Sequence, residues 1–193
     1  MDLSVPCRAR RVLAALVAVV CLGASAQASA DDATVQAVWT PKPLRFTFMG
    51  FTAKYSCDGL TDHLRRILLL MGARSDLKLT PVGCSSGFGR PSPFPGVEGT
   101  VNVLEPLGDK EPAPDQQPVA AHWQHVVLAP RGDPLRAAGD CELSEQVKTS
   151  ILPLFATRNI AYNSTCIPHQ LQVGGTQLSA DFLVLAPQHP PAP

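Results

Sequence analysis

The sequence predicts an α+β fold made of two similar strand–helix–strand–strand modules stapled by disulfides and able to pack as a pseudo-symmetric pair. Three observations carry this reading. Strand-like and helix-like apolar patterns occur in the same order twice. A cysteine opens each helical stretch and another closes the strand-like run after it, Cys57 to Cys84 spanning 27 residues and Cys141 to Cys166 spanning 25. Between the two sets lies "EPLGDKEPAPDQQP", rich in proline and charge, which is the composition of a linker.

The chain divides accordingly. Residues 1–30 have the order of a signal peptide. Arg8, Arg10 and Arg11 are followed by the apolar "VLAALVAVVCL" and then by the small-residue stretch "ASAQASA". Cleavage is expected after Ala30, with Ala28 as the next choice. The apolar run falls short of the ~20 residues that a membrane-spanning helix needs, so no transmembrane segment is expected in the mature chain. Cys21 follows Val19 and Val20, whereas a lipidation signal wants a small residue directly before the cysteine. Cleavage leaves 13 basic residues against 15 acidic ones, and four of the six cysteines. An even number of cysteines in an exported chain reads as disulfides. The near-neutral charge and the absence of a basic run interleaved with aromatics exclude a nucleic-acid surface.

In the first module, residues 31–106, the run at 44–55 reads as a strand. Leu60, Leu64, Ile67, Leu68 and Met71 fall at helical spacing over 58–71, with Gly72 as the stop. Residues 77–82 and 100–106 read as strands. In the second module, residues 119–187, the strand-like runs are 122–130, 159–165 and 181–187. Leu143, Val147, Ile151 and Leu154 mark its helix, which Pro153 should end or kink. The tail, residues 188–193, should be extended. A strand–helix–strand crossover leaves its two strands running the same way. The helix start and the end of the second strand then lie at one sheet edge, which predicts Cys57–Cys84 and Cys141–Cys166. The main rival, Cys57–Cys166 with Cys84–Cys141, would tie the halves together.

The segment "YSCDGLTDHLRRILLLMGA" followed by "LTPVGC" resembles a group of exported proteobacterial proteins of unassigned function. The likeness covers roughly the first module. It implies an envelope protein and transfers no active-site residue.

The candidate chemistry is sparse. "GCSSG" around Ser85 matches the nucleophile elbow of serine hydrolases, but three prolines in "FGRPSPFPG" forbid the helix that must follow it. His122 and His125 lie three apart in a strand and should point to opposite faces. Cys166 and His169, with His63 or His122 nearby, could hold a soft metal only if Cys166 were reduced. Asp58 and Asp140 stand where a carboxylate caps a helix. Glu142 and Glu145 read as a solvated helix face. The loop at 88–96 displays Phe88, Arg90 and Phe94 among prolines, a stiff presentation that loses little entropy on docking. These three are the candidate binding residues; the alternative is an ordinary hairpin-like connection whose phenylalanines tuck into the core. No catalytic residue, metal ligand or cofactor is assigned. The leading expectation is a non-enzymatic envelope binding or structural protein, whose partner would be another envelope protein or a cell-wall component. The alternatives are a periplasmic metal-binding protein using His and Cys, and a small hydrolase acting through Ser85.

Overall fold

A computed structural model describes residues 34–51, 54–84, 91–128, 140–165, 167 and 176–187. The segments read as signal peptide and tail lie outside the described residues.

Six strands form one sheet: β1 (Val35–Thr47), β2 (Lys78–Val82), β3 (Gly96–Pro106), β4 (Val119–Leu128), β5 (Thr157–Ser164) and β6 (Thr176–Leu185). The order across the sheet is β2-β3-β1-β4-β6-β5, and every pairing is antiparallel. β1 and β2 are each antiparallel to β3, so they run the same way, as a crossover requires, with β3 laid between them. β4 and β5 flank β6 in the same manner. The expected parallel strands are therefore parallel but not neighbours.

β1 begins nine residues before the strand expected at 44–55 and ends at Thr47. Pro41 and Pro43 hid its first half, because proline removes a ladder donor. Here both prolines turn their nitrogens away from β3, so that ladder loses nothing. Alternation then works as usual: Leu44, Phe46 and Phe48 are buried while Arg45 and Thr47 are exposed.

Helix α1 (Cys57–Leu70) packs Leu60, Leu64, Ile67 and Leu68 against the sheet. Its cap is Ser56, whose Oγ accepts from the Gly59 N–H at 3.1 Å. Asp58, expected to cap, sits instead in the first turn, where its charge opposes the helix dipole favourably. The stop at Gly72 is as read. Gly72 has φ +90°, its N–H donates to Leu69, and the Ala73 N–H reaches back to Leu68. A methyl group there would meet the Leu183 carbonyl of β6 at 2.8 Å, so the position also needs a bare backbone.

The second helical stretch is less regular. Helix α2 (Asp140–Gln146) widens into a π-helical turn at Val147–Ile151 and tightens into a 3₁₀ turn at Leu152–Leu154. Pro153 cannot continue an α-helix, and the change of gauge accommodates it while keeping Leu143, Val147, Ile151 and Leu152 buried.

Both helical layers share one core on one face of the sheet, joining side chains of β1, β3, β4 and β6. The opposite face carries no helix among the described residues. Its centre is a smaller apolar cluster, Ala37, Leu104, Ala121 and Leu183, with Val35, Trp39, Val119 and Trp123 packed against it.

Candidate functional site

The ends of β1 and β2 meet the start of β3 at one edge of the sheet: Thr47 and Val82 both lie opposite Gly96. Cys57 at the head of α1 and Cys84 just past β2 are joined there, with Cα atoms 6.0 Å apart. The predicted first disulfide is present, which excludes Cys57–Cys166 and Cys84–Cys141. Cys141 is also disulfide-bonded; Cys166 lies outside the described residues.

The same edge holds down the base of the proline-rich loop. Gly83, at φ +70°, turns the chain into Cys84. The Ser92 N–H donates to the Tyr55 carbonyl at 3.1 Å, and its hydroxyl donates to the Gly83 carbonyl at 2.6 Å. The Phe48 N–H donates to the Pro95 carbonyl at 2.8 Å. Phe48 itself is buried and meets Tyr55 edge to face, with ring centroids 4.9 Å apart.

Above this base the alternation of the chain turns apolar side chains outward. Met49 is 61 % exposed, Phe51 72 % and Phe94 63 %. The backbone of Met49 and Phe51 is clamped from α2. The Met49 N–H donates to Gln146 Oε1 at 3.0 Å, Gln146 Nε2 donates to the Met49 carbonyl at 2.9 Å, and the Phe51 N–H donates to Glu142 Oε2 at 2.9 Å. Glu142, expected on a solvated helix face, is thus part of a cross-chain clamp. The clamp satisfies polar backbone without using the side chains it presents. Of the three predicted binding residues, Phe94 is out in solvent, not tucked into the core; Phe88 and Arg90 lie outside the described residues, as do Ser85 and His169.

A second cluster sits on the helix-free face. Asp181 of β6 is buried and gathers three partners. His125 Nδ1 lies 2.8 Å from its Oδ1, while Arg158 Nε at 3.2 Å and Asn159 Nδ2 at 2.6 Å donate to Oδ2. The contact with His125 contributes most to holding the Asp181 carboxyl below the usual range, with help from Asn159 and Arg158 and against the opposing effect of burial. Arg158 also stacks over Trp123, 4.8 Å from the ring centre. Asn159 adopts φ +52° at a break in the β5–β6 register, which is what aims its amide at Asp181. Arg74 similarly stacks over Trp39 at 5.6 Å and grips Asp76 through two bonds of 2.9 and 2.6 Å. His122, one parity off from His125, faces the helical layer, so the two histidines are on opposite faces as read. Among the described residues, no three His, Cys, Asp or Glu side chains gather as metal ligands would.

Comparison with family models, with curated proteins and with solved structures finds no match for the chain.

Proposed function

We propose that the protein is an exported, non-enzymatic binding protein of the cell envelope, and that it engages a partner protein through Met49, Phe51 and Phe94. One observation carries this: three large apolar side chains stand exposed at a disulfide-pinned edge while Gln146 and Glu142 immobilise the backbone that bears two of them. Large exposed apolar side chains on rigid backbone favour association, because little freedom is lost on docking. The disulfide supports an oxidising compartment and agrees with the signal-like residues 1–30.

The scaffold reads as one unit used twice. Val35, Ala37 and Trp39 recur 84 residues later as Val119, Ala121 and Trp123; Cys57 recurs as Cys141 and Arg74 as Arg158 at the same offset. Val35 pairs with Ala121 and Ala37 with Val119, which sets Gln36 opposite Ala120 as a local two-fold would. Each arginine lies over the tryptophan of its own half.

The test is site-specific photocrosslinking from position 51 in living cells, compared with the exposed position 45 of β1. A discrete adduct from position 51, lost in Phe94→Ser with the melting temperature unchanged, supports the reading. Equal labelling from both positions, or none, sinks it.

A further inference from the structure

We infer a second interaction surface, independent of the apolar edge: the free edge of β4 from Trp123 to Val127, built to accept an extended peptide of another protein as an added strand. In an antiparallel strand the N–H and C=O of one residue point to the same side, and successive residues alternate sides. The Leu107 N–H donates to the Gln36 carbonyl, so even-numbered residues of β1 face β3 and odd-numbered ones face β4. The Ala186 N–H donates to the Ala120 carbonyl, so even-numbered residues of β4 face β6 and odd-numbered ones face β1. Yet among the described residues β1 and β4 pair only over Val35–Ala37 and Val119–Ala121. Beyond that overlap the strands run apart in opposite directions, and among the described residues each has an edge with no neighbouring strand.

The two edges differ in their chemistry. On β1 the outward positions include Pro41 and Pro43, which have no N–H to offer, and this is a common way to blunt an edge. The positions 84 residues on are His125 and Val127, both able to donate. Among the described residues no backbone partner engages the outward N–H and C=O groups of Trp123, His125 or Val127. His125 and Val127 are also exposed, Val127 by 47 %.

The groups left open select the occupant. Alternating donors and acceptors at strand spacing match only another extended backbone, and main-chain bonding supplies affinity while alternate side chains supply specificity. Continuing the antiparallel pattern that β1 starts at Val35 keeps the bond spacing unchanged. The guanidinium beside the edge, Arg158, is already paired with the Asp181 carboxylate. The added strand is therefore uncharged along its core, with apolar side chains where it lies beside Trp123 and Val127.

The test follows the Trp123, His125 and Val127 amides by hydrogen exchange in the full mature protein. The probe is an N-acetylated, C-amidated heptapeptide of alternating threonine and valine between terminal lysines. These amides should exchange freely in the protein alone. Millimolar peptide should slow them by about tenfold or more, since bonded strand amides exchange only through local opening. Val127→Pro, which removes an outward donor without touching the β4–β6 ladder, should abolish that slowing with the fold retained by circular dichroism. Protection already present without peptide would mean that the chain's own residues before Val35 fill the edge, and would overturn the proposal. So would exchange that stays fast with the peptide, and both readings stand even if Val127→Pro fails to fold.

Discussion

The two halves of the sheet each carry a tryptophan, an arginine and a carboxylate on the helix-free face, at different depths and with different reach. In the first half Arg74 takes Asp76 from two positions along the chain, and both are well exposed. In the second half Arg158 takes Asp181 from the neighbouring strand, and that carboxylate is buried under His125, Arg158 and Asn159. The local pair orders a surface loop before β2. The long-range cluster ties β4, β5 and β6 together. The same residue types are thus peripheral in one half and structural in the other. What decides is whether the carboxylate comes from the same turn or from another strand, and how far it is removed from water.

The largest expected effect is on the first half, where the Cys57–Cys84 disulfide ties α1 to the end of β2. Replacing Cys57 and Cys84 together by serine should cost about 2–5 kcal/mol, through the freedom returned to the unfolded loop. Hydrogen exchange should show the loss concentrated in α1, β2 and β3. Uniform loosening of all six strands would instead make the sheet a single cooperative unit with no difference between its halves.

The Asp181 cluster of the second half should weigh somewhat less. Asp181→Ala leaves the Arg158 and Asn159 donors without their acceptor and should cost about 1–3 kcal/mol. Exchange should rise in β5 and β6 before it rises in β2. Urea denaturation of Asp181→Ala beside Asp76→Ala sharpens the contrast, because the exposed carboxylate should cost much less.

How much of this was legible depends on range. The buried face of α1 was, because Leu60, Leu64, Ile67 and Leu68 lie within one helical stripe and need no distant partner. So was the Cys57–Cys84 pair, because crossover geometry brings a helix start and a strand end together. The first half of β1 was hidden by Pro41 and Pro43, whose harmlessness depends on which side of the strand its neighbour lies. A signal for it existed in the V-x-A-x-W pattern at Val35–Trp39 and Val119–Trp123. The Gln146 and Glu142 clamp could not be read, since its partners are 97 and 91 residues away and nothing local marks them. Asp181 looked like the start of a strand; its role needs the break in β5 register that turns Asn159 towards it.

A smaller effect tests the regular helix of the first half. Ser56→Ala removes the acceptor for the Gly59 N–H and should cost about 1 kcal/mol. The loss should appear as faster exchange in the first turn of α1 only. Asp58→Asn, which removes a charge that does not cap, should cost a few tenths at most in high salt, where the dipole is screened.

The smallest effect is the pH response of Asp76. The hydrogen bonds from Arg74 hold its carboxyl down to about 2, below the ~3.9 of an unfolded aspartate. A depressed carboxyl stabilises the fold fully above its unfolded value, and that contribution fades as pH falls through the folded value. Asp181 is shifted in the same direction. Both should therefore steepen the loss of stability in acid, and replacing either by asparagine should flatten it. Asp76 is at the surface, so salt should erase its share; Asp181 is buried, so its share should persist. Urea midpoints measured from neutral pH down into acid, in low and high salt, separate the two. If Asp76→Asn flattened the acid limb as much as Asp181→Asn in high salt, depth would not be what distinguishes the clusters.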